Sequence, residues 1–100
     1  MRLAARVDDN QKDLVNGLRK QGFSVWITSA LGHGAPDIVV GSEFGGLRGN
    51  YLFEIKDPDK PPSRRLLTHD EITFHNAWKG QIDIVHTLDD ALAIIRNSRI

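Results

Sequence analysis

The chain has 100 residues, 40% of them apolar and 26% charged, with zero net charge and no cysteine. That is the composition of one ordinary globular domain with a modest core, and it excludes disulfides, thiolate catalysis and zinc–cysteine sites. Zero net charge argues against a nonspecific nucleic-acid coat protein, which relies on surplus lysine and arginine to neutralise phosphates.

The chain opens basic at Arg2 and Arg6, but Asp8 and Asp9 follow at once, so no signal-peptide apolar region is read. No apolar run approaches the roughly 20 residues needed to cross a bilayer. No membrane partner and a cytoplasmic location, in a bacterial or phage-infected host cell, are therefore expected. Leu3, Val7, Leu14 and Leu18 recur at helical spacing, which predicts a helix over about 8–21 with Asp8 or Asp9 as cap and Gly22 as stop. Gln11 is the polar member of its inward stripe.

Phe23 to Thr28 is rich in β-branched and aromatic residues and predicts a strand. A loop from Ser29 to Pro36 contains Gly32 and Gly34, and a short apolar strand is expected from Asp37 to Gly41. Ser42 to Asn50 reads as a glycine-rich turn. Tyr51 to Lys56 reads as a strand whose Tyr51, Phe53 and Ile55 face one way and Leu52 the other, as expected of a central strand. Pro58, Pro61 and Pro62 place 57–65 in an irregular surface loop.

Thr68-His69-Asp70-Glu71 is a capping box, with Leu67 and Ile72 as its apolar staple. Its helix is expected to run to about Lys79 and stop at Gly80, with Phe74 and Trp78 in the core. Ile82 to His86 predicts a fourth strand, and Thr87 caps a last helix that turns Ala91, Leu92 and Ile95 inward. With no internal repeat, 1–100 reads as a single α/β (α+β) domain of order α-β-β-β-α-β-α, built on a mixed four-stranded sheet.

Chemistry concentrates on two of these strands. Asp37 and Glu54 sit in otherwise apolar segments, one turn apart, and can converge at neighbouring strand ends. Lys56 follows Glu54 by two residues and so points to the same side. An unpaired buried carboxylate is costly, and one ammonium neutralises only one of two. A divalent metal and a phosphodiester explain the grouping better than a structural ion pair does. Asp37 and Glu54 would hold Mg²⁺, or Mn²⁺ in its place, through hard oxygen ligands, with the backbone carbonyl of Ile55 and waters completing the shell. Lys56 would orient the attacking water or offset phosphate charge.

The helix-first order, the segment Gly32-His33-Gly34-Ala35-Pro36-Asp37 and Glu54-Ile55-Lys56 together resemble the PD-(D/E)xK nuclease superfamily. Within it the chain is most similar to small stand-alone VRR-NUC domains of phages and bacteria and, more distantly, to archaeal Holliday-junction resolvases. The resemblance spans Gln11 to about Val85. It implies a restriction-endonuclease-like core, Mg²⁺- or Mn²⁺-dependent hydrolysis of DNA phosphodiesters, and often a homodimer that cuts branched DNA. Many relatives carry a glutamate on the first helix that approaches the metal. The matching position here is Gln11, which supplies no charge and could instead be a buried amide bonded to backbone.

Further candidates surround this set. His33, between two glycines just before the Pro-Asp, could touch phosphate or a metal-bound water, or be a plain loop histidine. Lys60, Ser63, Arg64 and Arg65 follow the Glu54 strand and could grip DNA phosphates, although a charge run also serves solubility. His75 shares a helical face with Glu71 and either pairs with it or faces DNA. Glu71 itself is accounted for by the capping box. Gly32 and Gly34 are followed by no Gly-Lys-Ser/Thr, so no nucleotide cofactor is expected. The leading expectation is a metal-dependent DNA endonuclease selective for branched or Holliday-junction DNA. The alternatives are a nuclease fold that binds DNA or protein without cutting, and a homing or restriction-type enzyme that reads a duplex sequence.

Overall fold

The longest β-prone stretches of the chain become the two inner strands of a sheet. In the computed structural model, which describes residues 10–98, strand β2 (Ile38–Phe44) pairs antiparallel with β3 (Leu47–Ile55) from Ile38↔Phe53 to Phe44↔Leu47. Helix α1 (Gln11–Lys20) precedes β1 (Ser24–Ile27), and a short 3₁₀ turn (Ser29–Leu31) leads on from β1. After β3 come a one-turn helix α2 (Pro62–Arg65), helix α3 (His69–Ala77), strand β4 (Asp83–Val85) and helix α4 (Leu88–Asn97). The strands lie in the order β1-β2-β3-β4, antiparallel except for the parallel β3–β4 pair. The expected α+β architecture, its mixed four-stranded sheet and the central place of the Glu54 strand are all present.

Alternation along the strands decides what goes inside. Ile38 and Val40 of β2, Phe53 and Ile55 of β3, and Val85 of β4 form one buried sheet face. Leu14, Val15 and Leu18 of α1 and Ala91, Leu92 and Ile95 of α4 close over it. Because Phe53 and Ile55 point into this core, Glu54 between them points to the opposite face. Asn10 Nδ2 donates to the carbonyls of His86 (2.8 Å) and Lys56 (3.5 Å), which ties the start of α1 to the ends of β3 and β4.

Several boundaries differ from the sequence reading, each for a local reason. The glycine-rich stretch 42–50 is not an open turn: β2 runs on to Phe44 and β3 starts at Leu47, leaving Gly45-Gly46 as a tight hairpin. Both glycines have positive φ (58° and 84°), as a turn matched to strand twist requires. The proline-rich stretch is not wholly irregular, since Pro62 takes the first position of α2, where a missing N–H costs nothing.

Helix α3 ends at Ala77 because Trp78 turns extended (φ −73°, ψ 124°), ahead of the expected stop at Gly80. Phe74 and Trp78 are not core residues. Their rings stack on each other at 5.6 Å, and Trp78 stays 45% exposed. Helix α1 takes Asn10 as its N-cap, and the expectations placed on Leu3, Val7, Asp8 and Asp9 lie outside the described residues. Among the described residues no helix is long and apolar enough to cross a membrane.

Candidate metal centre at the end of the central strands

Asp37 stands immediately before β2, where its backbone joins three strands. Its amide donates to the Phe53 carbonyl (3.0 Å), and its carbonyl accepts from the Thr28 amide (2.8 Å). Thr28 is itself anchored through a hydroxyl bond to the carbonyl of Pro36 (2.6 Å). With the backbone fixed on both sides, the Asp37 side chain reaches across to β3 and accepts from the Ile55 amide through Oδ2 (2.7 Å). The carboxyl of Glu54 is electrostatically coupled to that of Asp37.

Lys56 extends the β3–β4 pairing by one bond, from its amide to the Val85 carbonyl (3.1 Å). It lies on the same side as Glu54, with Nζ 3.8 Å from Glu54 Oε2. The structure thus brings together Asp37, Glu54, Lys56 and the backbone of Ile55, as the sequence led one to expect.

The electrostatics show what this clustering costs. Glu54 is only 2% exposed, and burial followed by the neighbouring Asp37 charge pushes its carboxyl up to about 10. Burial also raises Asp37, against the lowering effect of its bonds to Glu54 and the Ile55 amide. With no cation bound, the raised carboxyls of Asp37 and Glu54 favour sharing a proton at neutral pH. Glu54 Oε1 is buried with no hydrogen-bond partner.

A shared proton and a buried unpartnered oxygen both fit a hard divalent cation, which would take the proton's place between two oxygen ligands. Asp37 and Glu54, with the carbonyl of Ile55, are the residues able to hold it. Among the described residues, no three or more His, Asp or Glu side chains gather in ligand geometry. Such a cation would therefore keep several waters, as Mg²⁺ commonly does.

Glu71, assigned by sequence to helix capping alone, enters the same cluster. Its Oε1 accepts from the Thr68 amide (2.8 Å), completing the capping box, and from Lys56 Nζ (2.9 Å). Burial works to raise its pKa, yet the Thr68 amide, the Glu54 carboxyl and Lys56 together hold it below the ordinary value. The capping-box pattern locates this glutamate on its helix, but only the tertiary fold brings that helix end onto β3.

The remaining candidates divide. Gln11 is 4% exposed and is not bonded to backbone: Nε2 donates to Ser29 Oγ (3.3 Å), while Oε1 has no partner. His33 sits exposed in the left-handed region (φ 57°). Ser63, Arg64 and Arg65 are exposed on α2, and Lys60 is half-buried before it. His75 is half-buried with Nε2 unpartnered. It makes none of the described ion pairs, so the expected pairing with Glu71 does not form.

Gly34 sets how closely α3 approaches this site. It has φ +80°, and a Cβ there would lie 2.2 Å from the Asp70 carbonyl oxygen. Gly34→Ala is expected to push the first turn of α3 off the loop and destabilise the fold by at least about 1–2 kcal/mol, the cost of a left-handed non-glycine residue alone. Urea unfolding measures this, and an unchanged midpoint would refute the close packing.

Neither a family model, nor a curated protein, nor a solved structure matches this chain.

Proposed function

We propose that this chain is a metal-dependent endodeoxyribonuclease of the PD-(D/E)xK type, hydrolysing DNA phosphodiesters with Mg²⁺ or Mn²⁺. One observation carries the reading. Two carboxyls, the half-buried Asp37 and the buried Glu54, crowd together at adjacent strand ends with the Lys56 ammonium on the same side. A fold gains nothing from forcing Glu54 to stay protonated at neutral pH, whereas a cation site requires that crowding.

Asp37, Glu54 and the Ile55 carbonyl would hold Mg²⁺, which would supply Lewis acidity toward a phosphodiester and its water nucleophile. The chain's own groups do the rest. Asp37, fixed by the Ile55 amide, and Glu54, locked between core residues on a central strand, set the anionic pocket. Lys56 places a positive charge where the scissile phosphate would lie, and orients the attacking water. Exposed Ser63, Arg64 and Arg65 on α2, with His33 on the glycine loop, are suited to backbone phosphates.

A domain of 100 residues presents little surface for reading a long base sequence. This favours recognition of DNA structure, with branched or Holliday-junction DNA as substrate. A homodimer would supply two matched cuts on a symmetric junction. The uncharged Gln11 in the first turn of α1 favours a second reading, a fold that holds DNA without cutting.

The test is incubation with labelled four-way, Y-shaped and plain duplex DNA in Mg²⁺, Mn²⁺ and EDTA, with the mass in solution determined by light scattering. Paired nicks in the junction, lost in EDTA, are expected from a dimer. Junction binding without products in either metal would establish the second reading. Cutting of one duplex sequence alone would indicate a restriction-type enzyme.

A further inference from the structure

Lys56 is 7% exposed, and a buried ammonium on a flexible four-carbon stem has no defined direction unless an anion fixes it. Glu54 is the more distant anchor, since its Oε2 lies 3.8 Å away. Gln11 brings no charge. Among the described contacts of its ammonium, the short one is to Glu71, at 2.9 Å.

Capping accounts for the Thr68–Glu71 bonds but not for the reach to β3. The Glu71 side chain is 17% exposed, whereas a carboxylate serving only a cap could remain in water. Helix α3 has no fully buried residue of its own. This ion pair and the tight approach of Gly34 to Asp70 both bring its first turn to the sheet.

We infer that Glu71 is a positioning residue: from the capping box of α3 it holds Lys56 Nζ in place beside the Asp37–Glu54 pair. The inference rests on the nuclease reading and deepens it. Glu71 touches neither substrate nor cation in this role. It fixes the direction of a group that does, so its loss slows turnover without weakening binding. The same oxygen, Oε1, serves the Thr68 amide and Lys56, so helix start and lysine are set by one atom.

Three variants separate this role from capping. Glu71→Gln keeps an oxygen for the Thr68 amide but loses the charge. Glu71→Asp keeps the charge on a shorter stem. Thr68→Ala removes the hydroxyl half of the cap and leaves the carboxylate. Glu71→Gln is expected to lower kcat about 10- to 100-fold, the range for residues supporting a reacting group, with KM for junction DNA and the Mg²⁺ affinity seen by calorimetry within about threefold. Glu71→Asp should recover part of that loss. Thr68→Ala should lower the melting temperature yet keep kcat within about threefold, because a cap acts on stability.

The independent readout is the ¹⁵N-labelled Lys56 ammonium signal. It should be sharp and slowly exchanging in the unaltered protein and lost in Glu71→Gln. Wild-type kcat with an unchanged lysine signal in Glu71→Gln would overturn the inference. So would a large fall in Mg²⁺ affinity, which would make Glu71 a ligand. If the unaltered protein cuts nothing, the nuclease reading fails by itself, and the lysine signal still decides whether Glu71 places Lys56.

Discussion

Removing the Lys56 ammonium is expected to slow single-turnover cleavage of junction DNA by about 10²- to 10⁴-fold, the span that a positioned proton-transfer or charge-stabilising group contributes. Lys56→Met is the cleaner variant, because it keeps most of the buried stem while deleting the charge. Folding should largely survive, since Glu71 retains its bond from the Thr68 amide and Glu54 is already neutral without a cation. Junction binding should survive as well, because it would rest on exposed cations of α2 rather than on this group. Asp37→Asn should abolish cleavage by a different route. The asparagine carbonyl oxygen can still accept from the Ile55 amide that now bonds Oδ2 at 2.7 Å, so the strand ends stay in place. The negative charge that would hold the cation is gone, and Mg²⁺ should no longer raise the melting temperature. Cleavage persisting in both variants would remove this cluster as the catalytic centre.

The parts of this arrangement that sequence could show are those set by short-range pattern. Period-two alternation put Phe53 and Ile55 inside, and therefore Glu54 and Lys56 on the opposite face. The proline before Asp37 and the glycines of the preceding loop marked a strand start. The register that sets Asp37 beside Ile55 depends on the Gly45-Gly46 hairpin, which was hidden because three glycines in nine residues look like an open turn. Glu71 shows the same limit more sharply. A capping box is a local motif that fully explains a glutamate three residues into a helix, and nothing in the spacing between Lys56 and Glu71 predicts a 2.9 Å contact. Phe74 and Trp78 fail for the converse reason. Helical spacing identifies a shared face, but whether that face meets a core or solvent depends on how α3 docks, and Trp78 stays largely open.

Glu54→Gln should stabilise the metal-free protein at alkaline pH while destroying its response to Mg²⁺. In the unfolded chain Glu54 loses its proton near the ordinary value of 4.5, whereas in the folded protein it keeps it to about 10. Between these values the folded state holds a proton that the unfolded state does not. Raising the pH through that window therefore favours unfolding, by at most about 1.4 kcal/mol per pH unit. Asp37, also raised by burial, acts in the same direction. Glu71, held low, adds stability that is lost only as pH falls below the usual carboxyl range, outside this window. In EDTA, then, the melting temperature should fall steadily from pH 7 to pH 9. Glutamine is permanently neutral, and its amide can donate toward Asp37 as the protonated acid does, so Glu54→Gln should flatten that slope. At pH 8 the gain is expected to be on the order of 2–5 kcal/mol. Saturating Mg²⁺ should restore the unaltered protein by about 3 kcal/mol at a hundredfold excess over its Kd and do nothing for the variant. A falling profile of this kind would mean that the fold gives up stability to keep two carboxyls together. A metal-free protein whose stability stays level from pH 7 to 9 would mean that Glu54 is ionised without a cation, and the main reason for placing one there would be gone.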